Sequence, residues 1–216
     1  MSRILVINPN SSPAVTREID AAVAPFRHDG GPTIDVVRLE DGPPGIQSQV
    51  HVDGVVQPVL NCIRTQSADA YVIACFSDPG LHAAREITKA PVLGIAECGV
   101  FAALQRGSRL GIIAILQNSI PRHMRFLGAM GVMSRVAGDR AIGMGVAELA
   151  DEEKTFERMC DTGAKLRDLD GADVLIMGCA GMARQRARLA RTLGIPVVEP
   201  TQAAVASAVG GLALDW

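Results

Sequence analysis

Two cysteines stand at matching places in two similar segments of this chain. Residues 68–75 read ADAYVIAC and residues 172–179 read ADVLIMGC, so an Ala-Asp pair and an apolar run precede both Cys75 and Cys179. A repeat that carries one thiol in each half predicts two thiols facing each other across a pseudo-two-fold cleft. One such thiol can remove a proton from carbon while the other delivers a proton to the opposite face. This is the chemistry of a racemase that needs no cofactor.

Both cysteines fall at the end of a predicted strand, the edge of a parallel sheet at which α/β proteins bind ligands. A predicted helix begins after each cysteine, and its N–H groups and dipole favour a thiolate. In the first half we expect Asp78 to cap this helix and Pro79 to take its first position. The N–H groups of Phe76, Ser77 and Ala180 are candidates to hold the oxygen of an enolate-like intermediate.

Short polar side chains follow two other predicted strands at matching places. Residues 8–13 read NPNSSP and residues 117–123 read QNSIPRH. In each, an Asn-Ser pair follows an apolar run and comes before a proline, Pro13 or Pro121, that is predicted to open a helix. These groups can bind a carboxylate or a ring carbonyl and N–H, and they are also typical of turns and helix caps. The candidate substrate-binding residues are Asn8, Ser11, Phe76, Ser77, Asn118, Ser119, Ala180 and Gly181, with Gln47, Glu97, Arg122 and His123 as further candidates.

The further candidates each have a structural alternative. Arg122 can recognise an anion, although an arginine at such a place is more often a solvated helix residue. Glu97 and Glu199 each follow a predicted strand and are expected to match each other in the repeat, where either can orient a substrate N–H or begin a helix. Gln47 lies on a loop that can cover the cleft, and His123 can lie on the surface.

Short apolar runs alternate with helical patterns, which predicts an α/β fold with largely parallel sheets. The expected strands are residues 3–7, 33–39, 70–75, 91–95, 109–116, 173–178 and 196–198, with an interrupted strand near 137–146. The expected helices cover about 13–25, 52–66, 79–88, 97–105, 120–130, 152–168, 182–193 and 201–213. The repeat predicts two similar lobes, 1–97 and 98–199, related by a pseudo-two-fold axis with the active site between them. We expect 200–216 to pack back on the first lobe.

Composition narrows the functional classes. The chain has 216 residues, is 48% hydrophobic and carries a formal net charge of −2, so no basic surface for a nucleic acid is indicated. Its apolar runs fall short of the roughly 20 residues of a membrane span, and we expect a cytoplasmic protein that acts on a small molecule. No GxGxxG follows the first strand and no GxxxxGK[ST] occurs, so no nucleotide cofactor is implied.

The five cysteines indicate neither a disulfide framework nor a metal site. Their number is odd and they are widely spaced, which is a poor disulfide pattern, and no Cys/His spacing matches a zinc site. We therefore expect no metal and no other cofactor. For Cys62, Cys98 and Cys160 we favour the role of small buried hydrophobes.

The motifs resemble the aspartate/glutamate/hydantoin racemase superfamily, most closely the hydantoin racemase branch that includes allantoin racemases. The resemblance covers nearly the whole chain and rests on residues 7–11 (INPNS), 74–81 (ACFSDPGL) and 178–182 (GCAGM). It implies two α/β lobes that enclose the substrate between two cysteines, with Cys75 and Cys179 as the acid/base pair. It also implies a homo-oligomer that works without a cofactor.

The chain departs from some patterns of that superfamily. Amino-acid racemases carry Cys-Asn-Thr-Ala and Gly-Cys-Thr-His, where this chain has Phe76-Ser77 and Ala180-Gly181, and hydantoin racemases usually show Asp-Asp-Thr-Gly where residues 77–80 read SDPG. The favoured hypothesis is racemisation of a 5-substituted hydantoin or related cyclic ureide. An amino-acid racemase, a maleate-type cis-trans isomerase, an arylmalonate-type decarboxylase and a non-catalytic sensor with redox-active thiols stay open.

Overall fold

The computed structural model describes residues 2–215 and confirms an α/β fold with two similar four-stranded sheets. The first sheet has the order β2-β1-β3-β4 and the second has the order β6-β5-β7-β8. The pairings among these strands are parallel. The strands are Arg3–Asn8 (β1), Thr33–Arg38 (β2), Ala70–Ile73 (β3), Val92–Gly94 (β4), Leu110–Ala114 (β5), Val136–Ala141 (β6), Val174–Met177 (β7) and Val197–Val198 (β8).

The helices follow the strands as the alternating pattern predicts. Nine α-helices lie within residues 2–215: Pro13–Val23 (α1), Gln49–Gly54 (α2), Val56–Thr65 (α3), Leu81–Ile87 (α4), Ile95–Leu104 (α5), Ile120–Ala129 (α6), Glu152–Asp168 (α7), Arg186–Leu193 (α8) and Pro200–Ala213 (α9). Short 3₁₀ segments occupy Ala24–Phe26, Gln117–Ser119, Met133–Arg135, Val146–Ala150 and Ala180–Gln185. In this described part of the chain, no helix is long and apolar enough to cross a bilayer.

Three elements differ from the sequence-based expectation in more than the exact position of their ends. The helix expected over 52–66 is divided at Val55 into α2 and α3. The interrupted strand expected near 137–146 is the shorter strand β6, which ends at Ala141. Its register with β5 shifts between Leu110 and Gly111. The chain after Cys179 forms a 3₁₀ turn before α8, so this cysteine precedes a tighter and shorter helical segment than expected.

Local sequence explains why individual elements begin and end where they do. Ser12 caps α1 by accepting from the Val15 N–H at 3.3 Å, and Pro13 fits the first helical position, where no N–H bond is lost. Asp151 caps α7 in the same way. Acidic residues in the first turn of α7 and basic residues in its last turn complement the helix dipole.

The central strands are buried on both faces, which explains their continuous apolar runs. From Ile4 to Ile7 every side chain of β1 is fully buried, and β3 and β7 are buried along their whole length. Buried Ile and Val side chains each contribute about 1.5–3 kcal/mol to folding, so these strands hold the loops at their carboxyl ends in place.

Two helices cross from one half of the chain to the other. Helix α5 follows β4, yet its Ala96 and Val100 share a buried cluster with Ile112 and Val174 of the second sheet. Helix α9 follows β8 and contacts β1, β3 and β4 of the first sheet, as well as α5. Each sheet is therefore covered by the helix that follows the other sheet.

We propose that the two halves, 1–97 and 98–199, are the structural lobes and that 200–216 belongs with the first. The contacts of α9 with the first sheet support this division, and the crossing of α5 ties the lobes together. Met1 and Trp216 lie outside the described residues.

Candidate active site

Cys75 and Cys179 line one cavity at the carboxyl ends of the two sheets. The cavity has a volume of about 40 Å³, and residues of both halves form its wall: Asn10, Val15, Ile46, Ala74, Cys75, Phe76, Ser77, Ile115, Ser119, Arg122, His123, Val146, Gly178, Cys179 and Ala180. Cys75 comes from the loop after β3 and Cys179 from the loop after β7. The repeat in the sequence thus becomes a pair of thiols at one site.

Backbone hydrogen bonds fix the two loops that carry the thiols. The Asp78 N–H donates to the Cys75 carbonyl at 2.9 Å, and the Gly178 N–H donates to the Ile113 carbonyl at 2.9 Å. A Cβ at Gly178 would lie 2.7 Å from that carbonyl oxygen, so only glycine allows the loop before Cys179 to pack this closely on β5.

Burial raises the pKa values of both thiols. It raises the pKa of Cys75 to about 12, against the lowering effect of the Ser77 N–H, which bonds to this thiol; the neighbouring Cys179 raises the value further. It also raises the pKa of Cys179 to about 11, against the Gly181 N–H. The N–H donors lower both pKa values as expected, but desolvation outweighs them, so the net shift of each thiol pKa is upward.

Two backbone N–H groups near the thiols point at sulfur atoms, whereas the sequence suggested that such groups would hold an enolate oxygen. The Ser77 N–H is directed at the Cys75 sulfur and the Gly181 N–H at the Cys179 sulfur. Ser77 and Gly181 thus support negative charge on sulfur.

Many of the sequence-predicted residues meet at the cavity. Those that line it are Cys75, Phe76, Ser77, Ser119, Arg122, His123, Cys179 and Ala180. Gly181 lines a neighbouring groove of about 220 Å³ that runs along α1 and the 146–150 segment. That groove is larger, but both cysteines belong to the smaller cavity, which is therefore the candidate active site.

The other predicted residues serve the structure around the cavity. Asn8 is buried and donates to Asn10 Oδ1 at 3.2 Å and to Thr16 Oγ1 at 3.0 Å, which fixes the first loop. The Ser11 N–H donates to the Pro43 carbonyl at 3.0 Å. The side chain of Asn118 is exposed.

Gln47 and Glu97 do not line the cavity. The Gln47 N–H donates to His51 Nδ1 at 3.2 Å, so this loop is closed on itself, and its neighbour Ile46 reaches the cavity. Glu97 pairs with Arg85 at 2.5 Å.

Several wall residues were not predicted from the sequence. Asn10 lies in the NPNSS segment, whose polar composition indicates a binding loop but does not distinguish Asn10 from Asn8 and Ser11. Ile46, Ile115 and Val146 are apolar residues from three separate segments. Their local sequence gives no functional signal, since only the packing of both lobes brings them together.

Asp78 does not cap the helix that follows it. Helix α4 begins at Leu81 behind Gly80, and the Asp78 carboxylate instead accepts from the N–H groups of Ala96 and Glu97, both at 2.9 Å, at the start of α5. Asp78 adopts a positive φ of 41°, a conformation that Asp tolerates better than most residues. Its carboxylate thereby ties the Cys75 loop to α5.

Glu199 has the same role at the matching helix of the second half. Its carboxylate accepts from the N–H groups of Thr201 and Gln202 at 3.1 and 2.6 Å. Because Gly94 and Glu199 are the capping residues of α5 and α9, the repeat pairs Glu199 with Gly94 and not with Glu97. Burial raises the pKa of Asp78 to about 7 and also raises that of Glu199.

His123 is held in one orientation at the cavity wall. Its Nδ1 lies 2.7 Å from Oδ2 of the buried Asp139, and its ring meets Phe76 edge-to-face with centroids 5.1 Å apart. The carboxylate holds Nδ1 and thereby fixes the orientation of the ring. The loop that carries Cys75 therefore packs against a rigid residue of the second lobe.

Residues 4–208 match the family model described as Asp/Glu/Hydantoin racemase, and the chain belongs to this family. This confirms the resemblance indicated by the motifs. A hydantoin racemase of Pseudomonas sp. (strain NS671) is 35% identical over 209 residues, covering 94% of this chain and 83% of that protein.

Two solved structures share the whole architecture. The allantoin racemase of Klebsiella pneumoniae superposes with a TM-score of 0.86 at 33% identity, covering 100% of this chain and 89% of that one. The allantoin racemase of Pseudomonas fluorescens superposes with a TM-score of 0.92 at 26% identity, covering 99% and 92% of the two chains.

Proposed function

We propose that this protein racemises a 5-substituted hydantoin or a closely related cyclic ureide. The observation that carries the proposal is the single cavity lined by Cys75 from one half of the repeat and by Cys179 from the other. The similarity to a hydantoin racemase and to an allantoin racemase supports this choice of substrate. Their substrates share a ring carbon that bears an acidic hydrogen beside a carbonyl group.

The proposed reaction is a proton exchange through an enolate-like intermediate. The thiolate of one cysteine removes the C5 proton and becomes a thiol, and the electron pair of the C–H bond moves towards the adjacent carbonyl oxygen. The thiol of the other cysteine then donates its proton to the opposite face of C5 and becomes the thiolate. When the substrate is the other enantiomer, the two cysteines exchange roles. The cycle therefore needs no other reactant.

The reactive form of the site holds one thiolate and one thiol, and this protonation belongs to the pair. Forming the thiolate is unfavourable because burial raises the pKa values of both thiols. A thiolate at Cys75 is nevertheless favoured by the Ser77 N–H and by the Arg122 guanidinium. The Gly181 N–H has the same effect on Cys179. We propose Ser119, Arg122 and the amide of Asn10 as groups that orient the ring.

The other substrate-binding candidates keep a more limited proposed role. Phe76 and Ala180 form the apolar walls beside the thiols, and Gly181 places an N–H behind Cys179. We assign Asn8, Ser11 and Asn118 to the support of the loops that hold these groups.

The test is proton NMR in deuterium oxide with optical rotation followed in parallel. The substrates are hydantoins with aliphatic and aromatic C5 groups, allantoin, aspartate, glutamate, maleate and an arylmalonate. Enzyme-dependent exchange at C5 with loss of rotation is the expected result. Turnover of a diacid alone would contradict the proposal and favour an amino-acid racemase, an isomerase or a decarboxylase.

Cysteine variants test the two-thiol mechanism. Cys75→Ser and Cys179→Ser are each expected to abolish racemisation, because a serine hydroxyl is a far weaker acid than a thiol. The matched control is Cys160→Ser, since Cys160 lies on α7 and stands apart from the cavity wall. A Cys75→Ser protein with a near-normal rate would refute the mechanism.

We further propose that the protein acts in the cytoplasm as a homo-oligomer and takes no part in nucleic-acid or membrane binding. The five cysteines are free thiols, which suits a reducing compartment. Gel filtration with light scattering would measure the oligomeric state, and a monomer at working concentration would contradict that part of the proposal.

A further inference from the structure

A second pocket adjoins the cavity that holds the thiols. It has a volume of about 180 Å³, and four of its residues also line the cysteine cavity: Phe76, Ser77, Arg122 and His123. The remaining lining residues are Gln49, Val52, Arg125 and Phe126. We call this space the outer pocket. A ring held between the thiols can therefore extend a substituent past Phe76 and Ser77 into it.

The outer pocket carries positive charge without an opposing carboxylate. Arg122 and Arg125 line it, and no Asp or Glu of residues 2–215 does so. Within the same residues, neither arginine has a carboxylate oxygen within 4.0 Å, although eight other arginines do. The carboxylate of Asp139 is bonded to His123, another residue of this wall.

The hydrogen bonds of the two arginines go to neutral acceptors. Arg122 donates from Nη1 to the Asn118 carbonyl at 2.8 Å and from Nη2 to Ser119 Oγ at 3.2 Å. Arg125 donates from Nη2 to Gln49 Oε1 at 2.7 Å. Among the described residues, the buried Nε of Arg122 has no acceptor, and a buried donor without a partner is costly.

The effects on the pKa of Arg122 also favour an anion bound beside it. Burial lowers the pKa of its guanidinium, negative charge at Cys75 opposes this, and the neighbouring Arg125 lowers the pKa further. The half-buried Arg122 and the exposed Arg125 carry like charges, and an anion placed between them stabilises both. A carboxylate fits best, because its two oxygens match the planar fork of a guanidinium.

We propose that the outer pocket binds the C5 substituent and selects a carboxylate there, so that the preferred substrates are hydantoins with a carboxyalkyl group at C5. This inference rests on the proposed racemase function and narrows its substrate class. The ureido group of allantoin supplies an oxygen acceptor but leaves both guanidinium charges uncompensated. A plain alkyl group supplies neither.

The test compares substrates of matched shape and different charge. They are 5-(2-carboxyethyl)hydantoin and its neutral amide, 5-(2-carbamoylethyl)hydantoin, together with 5-isobutylhydantoin and allantoin. For the wild-type protein we expect kcat/KM for the acid to exceed that for the amide by about tenfold or more, as for a charge-assisted hydrogen bond. Raising the salt concentration is expected to reduce this ratio.

Three variants assign the preference to the pocket. Arg125→Gln is expected to lower kcat/KM for the acid by about tenfold while changing the value for the amide much less. Arg122→Gln is expected to lower the values for both substrates, and more for the acid, because Arg122 also favours a thiolate at Cys75. Arg125 is exposed, so its variant is expected to fold even if Arg122→Gln does not. Arg158→Gln is the matched control, because it removes the same charge from an exposed position of α7.

The outcomes separate this inference from the function on which it rests. If the amide, the isobutyl compound or allantoin is racemised as fast as the acid or faster, the charge preference is refuted and the racemase function stands. Equal losses for the acid and the amide in Arg125→Gln would likewise refute it. If no hydantoin is racemised at all, both proposals are overturned.

Discussion

Adding one methyl group at Gly94 should disconnect the Cys75 loop from α5. A Cβ at this position would lie 2.2 Å from both Cγ and Oδ2 of Asp78, so the carboxylate must leave the start of α5. The backbone of Gly94 has φ −92° and ψ 137°, which alanine adopts without strain. The predicted effect of Gly94→Ala therefore comes from the lost contacts of Asp78 alone.

The magnitude follows from the bonds that break. Asp78 accepts from the Ala96 and Glu97 N–H groups, both at 2.9 Å. At a pH above its pKa of about 7 the group is charged, and hydrogen bonds to a charged group contribute about 1.5–3 kcal/mol each. Release of the buried carboxylate to water offsets part of this loss, because its burial is unfavourable. We expect Gly94→Ala to lower the free energy of unfolding by about 2–4 kcal/mol.

The assay is urea denaturation followed by circular dichroism, and Gly210→Ala is the matched control. No atom lies within 4 Å of the Cβ position at Gly210, which is exposed within α9, so alanine there should stabilise by about 0.5–1 kcal/mol. In an Asp78→Ala background, Gly94→Ala should cost less than about 0.5 kcal/mol, because the clash has been removed. An unchanged cost in that background would refute the reasoning.

Three further predictions concern the thiols and the core. With pKa values of about 12 at Cys75 and about 11 at Cys179, the reactive thiolate fraction increases as pH rises towards these values. kcat/KM corrected for unaided exchange should therefore increase from pH 7 to pH 9, and a rate that falls over this range would contradict the raised pKa values. Asp139→Asn, which weakens the 2.7 Å contact with His123, should lower the free energy of unfolding by about 1–3 kcal/mol in urea denaturation; no loss would show that the pair contributes little. Leu127→Ala, at a fully buried position, should lower the free energy of unfolding by about 2–5 kcal/mol in the same assay. A loss below about 1 kcal/mol would show that neighbouring side chains fill the space left by the leucine.

Local sequence was sufficient to predict the order of the elements and the two cysteine loops. Apolar runs and turn residues lie within a few positions of each other, so the strands before Cys75 and Cys179 could be placed from the chain alone. Strand ends were less accurate, as with the segment expected over 91–95 that forms Val92–Gly94. The ends of a strand depend on its pairing with a neighbour, which local sequence does not contain.

The repeat also predicted the duplicated sheets, because the same pattern of strand and turn occurs in each half. The repeat did not predict how α5 and α9 are capped, because the two halves use carboxylates from different positions. Glu199 caps α9 from its own position, whereas α5 is capped by Asp78 across the space that Gly94 leaves open. A carboxylate that arrives from a distant segment cannot be read from the helix that it caps.

The sequence by itself determined that two thiols stand at the ends of matching strands and that polar residues stand beside them. Only the tertiary structure decided that the pKa values of the thiols are raised, because burial depends on walls from both halves and outweighs the nearby N–H donors. It also decided which polar residues reach the cavity: Arg122 and His123 do, while Asn8 supports a loop. Direction and burial of a side chain are set by packing between segments far apart in the chain, and a linear pattern does not record them.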